Sequence, residues 1–369
     1  MANRDALRLL MVNSVKTDYN GQTLFIMKYL RALDRRDIVV GYASNGPLPE
    51  DFEMELAGLG VRVYALPERL KKPLSSTLRL ARLIRRERYN VVHVNGNSAT
   101  ISFELFAAWL GGARVRIAHS HNTQCTYRLL HRLLWPGMML LANARFACGR
   151  EAGEWLFHRH SFEIIPNASD AALFGFDAAA RAGARERLGI GADCALVGVV
   201  AGFTTIKNHA FLLEAFARAL EQRGDLRLAL VGDGPLRPQI EADIDRLGLR
   251  ERVVMTGFIP GAAACMQAFD ALALPSLAEG FPNVLVEAQL SGLPALVSDV
   301  VTRDCDMTGL LRFIPLEVDR WRDALVALAP VDREQASAAG CRRAEERGYE
   351  IRGAAQRLRA LYDALLERK

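Results

Sequence analysis

Two glutamates, Glu279 and Glu287, stand with seven residues between them in the apolar stretch AEGFPNVLVEAQLSGLP (278–294). Glu279 follows the strand-like run DALALPS and falls in a loop, while Pro282 suits the first turn of a helix running to about Ser291 and stopping at Gly292. The amides near Phe281 to Val284 would then be open donors at a helix N-terminus, suited to a phosphate or diphosphate. Glu287 falls on the second turn, about 7 Å along the axis from Pro282 by helical rise. A carboxylate touching a diphosphate would repel it, so each glutamate is expected to accept from a nearby hydroxyl, a bond worth roughly 1.5–3 kcal/mol. This chemistry matches a nucleotide sugar, with one glutamate for the ribose and the other for the transferred sugar. The plainer reading, one glutamate in a solvated loop and one on a solvated helix face, stands equal to it on spacing alone, although the segment is apolar for such a face.

The elements that must position these groups alternate between short β-branched runs and amphipathic stretches. Strands are predicted at 7–13, 37–44, 61–67, 90–95, 114–120 and 144–149, with helices at 22–33, 74–88 and 98–110 between them. After EIIPNASD (163–170) and a linker around 166–192, the pattern restarts with strands at 195–203, 226–234, 252–258, 270–276 and 294–299. Near-continuous apolar strands alternating with helices indicate parallel sheets covered on both faces. The expected fold class is α/β, two Rossmann-like doubly wound parallel-sheet domains facing a cleft. The boundaries are 1–168 and 169–348, with a final helix, 349–369, crossing back to the first domain. Ligands of such sheets bind at the carboxyl ends of the strands. In the first domain that end carries the loop DYNGQT, with Gly21, and the pair His119 and His121, which alternation puts on one side of an extended segment. Either histidine could equally be a satisfied structural residue.

PSLAEGFPNVLVEAQLSGLP (275–294) resembles the E-x7-E signature of the retaining glycosyltransferases of family 4, whose fold is the two-domain GT-B arrangement. Other segments agree in order. GFTTIKNHAFLLEAF (202–216) is similar to the family's GR-x(4)-KNH segment, VGDGP (231–235) to its GDGP turn, and TGF (256–258) to its G-F/L segment. IIPNASD (164–170) resembles the IPNGID linker entry, and IAHSHN (117–122) the histidine-bearing loop of the first domain. The resemblance spans almost the whole chain and points most closely to polysaccharide-assembly members. It implies a ribose-binding role for Glu287 and a donor-sugar role for Glu279, with Gly280, Phe281, Pro282 and Asn283 near the sugar and diphosphate. Lys207 would neutralise the diphosphate, Phe258 would lie near the base, and Gly21 would let backbone approach the diphosphate, although the family's usual Gly-Gly is Asn20-Gly21 here. His119 would steady the sugar or acceptor, with His121 in reserve.

The implied reaction is retaining transfer from a nucleotide-diphosphate sugar, UDP-linked, to a saccharide or lipid-linked saccharide of cell-surface polysaccharide synthesis. Neither a cofactor nor a metal is expected. One departure stands out: Gly202 occupies the position of the family's arginine, removing a diphosphate cation. Arg303 or His209 could replace it, helix amides could carry the leaving group, or the chain could be a weakened or non-catalytic partner subunit. A nucleotide-sugar epimerase of the same fold would need a further acid–base pair that the sequence does not display.

Charge is unevenly spread. Residues 1–168 carry 23 Lys and Arg against 14 Asp and Glu, the remainder 24 against 28. The basic half favours an anionic partner. RLKKPLSSTLRLARLIRRERYN (69–90) has eight cations, and its Leu74, Leu78, Ala81 and Ile84 are expected to pack on the sheet while the arginines face outward. With the apolar run YRLLHRLLWPGMMLLA (127–142), this segment reads equally as a solvated helix face beside a buried helix or as a peripheral contact with an anionic membrane. Nucleic acid is not expected, for no binding motif appears. Six scattered cysteines without a CxxC pair, no apolar run of spanning length and no secretory pattern at the start lead to a cytoplasmic protein, peripheral on the inner face of the cell membrane.

Overall fold

A computed structural model describes residues 6–123, 125–259 and 262–368. The chain divides into two compact units, one running to Ala168 and taking in Ile351–Lys369, the other Ser169–Glu350.

The first unit is built on a seven-stranded sheet: β1 (Arg8–Asn13), β2 (Val39–Asn45), β3 (Arg62–Leu66), β4 (Val91–Gly96), β5 (Val115–Ser120), β6 (Ala144–Ala147) and β7 (Glu163–Ile164). Their order is β3-β2-β1-β4-β5-β6-β7, and every pair is parallel. Strands such as VVHVNG are buried along their whole length because helices cover both faces. One face packs with Phe25, Tyr29 and Leu30 of the Gly21–Ala32 helix and with Leu358 and Tyr362 of the final helix, Ile351–Glu367. The other packs with Leu80 and Ile84 of the Pro73–Glu87 helix, Leu105 of the Ser102–Gly111 helix and Met138 of the Arg128–Leu141 helix.

The second unit repeats the plan with six strands: β8 (Ala195–Val200), β9 (Leu226–Val231), β10 (Val253–Gly257), β11 (Ala271–Leu274), β12 (Ala295–Ser298) and β13 (Leu311–Ile314). They are ordered β10-β9-β8-β11-β12-β13, again all parallel. In both sheets the strand order reverses beside the first strand, between β1 and β4 and between β8 and β11. Doubly wound sheets bind ligands at such points, outside the carboxyl ends of the strands.

Several local expectations need correction. The 166–192 stretch is not an extended linker. Asp170 and Asp177 cap short helices at Ala171–Phe174 and Ala178–Arg187, the second an alanine-rich run that propagates readily. The Glu287 helix spans Asn283–Leu290, with Pro282 as its N-cap residue rather than inside its first turn. The predicted helix at 98–110 opens with a 3₁₀ turn at Ala99–Ile101. Strands β7 and β13 escape a sequence reading, β7 being only two residues long.

The basic segment also differs. Arg69 is buried, paired with Glu104 at 3.0 Å and bonded to Thr100, so it belongs to the core and not to a cationic face. Ala81 and Ile84 are buried as expected, but Leu74 and Leu78 are exposed, and Leu80 and Leu83 are buried in their stead.

Candidate functional site

The second unit gathers its candidate groups where β8 and β11 end. Past β8 the chain makes a 3₁₀ turn, Thr205–Lys207, and Asn208 takes a left-handed conformation (φ 55°) that starts the His209–Leu220 helix. Past β11, the Leu277 amide donates to the Ile206 carbonyl at 2.8 Å, locking the two loops together. As a result Lys207 Nζ donates to Glu279 Oε1 at 2.6 Å, and Ser276 Oγ donates to the same oxygen at 2.6 Å. The two residues that the sequence assigns to diphosphate and sugar therefore hold each other. A ligand entering here would find a cation and an acceptor already placed side by side.

The VGDGP turn supports this loop by close backbone approach. A Cβ on Gly232 (φ 148°) would lie 2.0 Å from the Ala201 carbonyl oxygen, and one on Gly234 would meet Phe203 backbone at 2.6 Å. Only glycine fits there.

Next in the chain, the Asn283–Leu290 helix has no side-chain cap at Pro282, so the Asn283 and Val284 amides are left for other acceptors, while the Leu285 amide donates to the Pro282 carbonyl at 3.2 Å. The Asn283 side-chain oxygen is buried without a partner among the described residues. Gly280 and Phe281 form the turn leading in, with Phe281 stacked on Tyr349 at 5.5 Å. One turn further on, Glu287 is buried, its Oε1 accepting from Ser169 Oγ at 3.4 Å. Phe258, just past β10, is 45% exposed, so it is not a core residue.

Neither proposed substitute for the missing arginine joins Lys207. His209 is buried, and desolvation together with the neighbouring Lys207 lowers its pKa to about 4, so it is neutral. Arg303 lies over the Phe313 ring, 4.6 Å from its centroid. A Cβ on Gly202 would meet only the Asp233 carbonyl oxygen within 4 Å, at 3.8 Å.

In the first unit the β1, β4 and β5 ends carry a buried polar cluster. Asn20 caps the Gly21–Ala32 helix by accepting from the Thr23 amide at 3.0 Å. Gly21 is the first helical residue, and a Cβ there would meet nothing within 4 Å. Packing therefore does not require glycine at Gly21, which leaves room for a ligand to approach the backbone.

His119 is fully buried, stacked on His121 at 4.1 Å with Phe25 edge-on at 5.0 Å. Two groups not singled out from the sequence complete the cluster. His93 Nε2 lies 2.8 Å from His119 Nδ1, and His93 Nδ1 lies 2.6 Å from the Tyr362 hydroxyl. The tyrosine's other neighbour, Met11 Sδ at 4.0 Å, is a weak acceptor. The Tyr362 O–H therefore donates to His93 Nδ1, His93 Nε2–H donates to His119 Nδ1, and the His119 proton sits on Nε2. That Nε2 is buried with no partner among the described residues. Burial holds all three histidines neutral: His93 and His121 fall to about 3, and His119 goes well below its ordinary value. A neutral donor whose Nε2–H is unmatched suits holding a ligand oxygen better than accepting a proton. His93 was visible only as a polar residue in the apolar strand VVHVNG, and Tyr362 became relevant only when the last helix packed on that strand.

Two Rossmann-like parallel-sheet units in one chain define the GT-B class of fold. The first unit matches the model "Glycosyltransferase Family 4" over residues 19–173, and the second matches "Glycosyl transferases group 1" over 194–329. The putative glycosyltransferase EpsF of Bacillus subtilis is 32% identical over 329 residues, covering 85% of each chain. UDP-Gal:alpha-D-GlcNAc-diphosphoundecaprenol alpha-1,3-galactosyltransferase of Escherichia coli is 24% identical and covers 88% of each. Among solved structures, HepE of Anabaena in complex with UDP-glucose superposes with a TM-score of 0.77 over 97% of this chain and all of its own, at 18% identity. The chain belongs to glycosyltransferase family 4 and is a glycosyltransferase, and the Vi polysaccharide biosynthesis protein VipC/TviE of Salmonella typhi is 33% identical over 119 residues.

Proposed function

We propose that this chain transfers a sugar from a UDP-sugar, with retention of anomeric configuration, to a saccharide or lipid-linked saccharide acceptor during assembly of a cell-surface polysaccharide. The observation that carries the reading is the Lys207–Glu279 pair, 2.6 Å apart, a few residues from an uncapped helix start. The complex of HepE with UDP-glucose and the diphosphoundecaprenol-linked acceptor named for the E. coli relative support the donor and acceptor classes.

On this reading the donor diphosphate takes Lys207 from Glu279 and meets the amides of Gly280, Phe281 and Asn283. Glu279 turns to a sugar hydroxyl, Glu287 takes the ribose and Phe258 lies along the base; in the first unit, Gly21 leaves the backbone open to a diphosphate. His119 donates from Nε2 to the sugar or acceptor. The rate comes from positioning and from charge neutralisation at the leaving diphosphate, without a metal or other cofactor. A lipid-linked acceptor would bring the protein to the membrane surface.

The test is UDP release from a panel of UDP-sugars, with and without lipid-linked saccharides and with a chelator present. Turnover that survives chelation is the expected result. Lys207→Ala and Glu279→Gln should each lower kcat/KM by about ten- to a hundredfold, as loss of one charge-assisted bond predicts. Donor binding without turnover on any acceptor would instead favour a partner subunit, the reading that Gly202 supports.

A further inference from the structure

The first unit places three neighbouring helices, Pro73–Glu87, Ser102–Gly111 and Arg128–Leu141, over one face of its sheet, and their outer side is unusually apolar. The Arg128–Leu141 helix buries only Met138. Leu129, Leu133 and Leu140 are 72%, 70% and 85% exposed, at a spacing that sets them on one stripe. Leu74 on the first helix is 79% exposed, and Phe106 and Trp109 on the second stack on each other while facing solvent. Single exposed leucines are ordinary, but several large ones on three adjoining helices are not.

The charge on these helices is one-sided. Arg79, Arg82, Arg128 and Arg132 are exposed and enter no ion pair among the described residues. The two carboxylates on the same helices are both taken: Glu87 pairs with Arg62 and Arg86, and Glu104 with the buried Arg69. An apolar stripe flanked by unmatched arginines is complementary to a surface with negative headgroups over a hydrocarbon interior. A second copy of this face would instead set arginine against arginine.

We propose that this three-helix face docks on an anionic lipid bilayer, with the leucines and Trp109 entering the headgroup boundary and the four arginines on the phosphates. Among the described residues no helix is long and apolar enough to cross a membrane, so docking would be lateral. The proposal draws on the lipid-linked-acceptor reading for its purpose, but vesicles without acceptor test it separately.

The experiment is co-sedimentation of the full chain with vesicles of phosphatidylcholine alone or mixed equally with phosphatidylglycerol. The expected result is binding to the anionic vesicles alone, weakened by salt. Reversal of the four arginines to glutamate should reduce partitioning by more than about a hundredfold, at roughly 1 kcal/mol per charge. Leu129→Ser, Leu133→Ser and Leu140→Ser combined should also release the protein, while UDP release with a soluble acceptor stays unchanged, showing that the variants are folded. Failure to bind anionic vesicles at low salt would overturn the proposal. So would binding that is insensitive to these leucines, or a solution dimer that the leucine variant dissolves.

Discussion

At the scale of single residues, the pairing of Lys207 with Glu279 shows how one geometry can serve two states. In the ligand-free protein each satisfies the other, avoiding the cost of a partly buried lone charge. A diphosphate offers the lysine a stronger partner and leaves the glutamate free for a hydroxyl. The first unit's counterpart is the Tyr362–His93–His119 chain, whose direction depends on one phenolic proton. Tyr362→Phe removes that proton and the bias it sets on His93. The His119 tautomer should then become mixed, read as altered ring nitrogen shifts in histidine-labelled protein. On the proposed role for His119, kcat should fall about three- to tenfold with little change in KM, the worth of one hydrogen bond. Unchanged ring shifts would show that the tyrosine only fills space.

At the scale of elements, the Glu287 helix is held by close approach to the Arg333–Arg347 helix. A Cβ on Gly340 would lie 2.0 Å from the Gln289 carbonyl oxygen, so the two backbones touch there. Arg333 ties the same pair, donating to the Ser291 carbonyl at 2.8 Å and to the Phe269 carbonyl at 2.6 Å. Gly340→Ala must push the helices apart and should cost about 1–3 kcal/mol, seen as a lowered urea midpoint with unchanged slope. Much of this scale was legible in advance. The parallel strands, the strand-end loops and the segments carrying Lys207, Glu279 and Glu287 follow from apolar runs and turn residues. What was not legible depends on contacts distant in sequence. The exposure of Leu74 and Leu78 is set by where the Ser102–Gly111 helix packs, and the burial of Arg69 by its meeting Glu104. Nor could the neutrality of His209 be read from the KNH motif, because Phe203 and the sheet supply its desolvation.

At the scale of the whole molecule, the two units should respond differently to acid. His93, His119 and His121 in the first unit are neutral when folded, with pKa values pressed far below the ordinary value near 6.5 by burial. In the unfolded chain each takes a proton near pH 6.5, so between there and about pH 3 the unfolded state binds more protons than the folded one. Stability is then fully present above pH 6.5 and is lost as the pH falls, each histidine adding a slope of up to about 1.4 kcal/mol per pH unit. The buried Glu104, whose pKa burial raises, acts in the opposite sense, but as one group against these three and His131, which desolvation also lowers. The second unit has only His209 of this kind among the described residues, at about 4. Amide exchange followed from pH 7 to pH 4.5 should therefore show β4 and β5 losing protection before β8 and β11. His121→Asn, which keeps a polar group beside Asn95 but removes a titrating ring, should shift the first unit's transition to lower pH. Equal loss of protection in the two units would mean that they unfold as one cooperative body, despite their separate sheets.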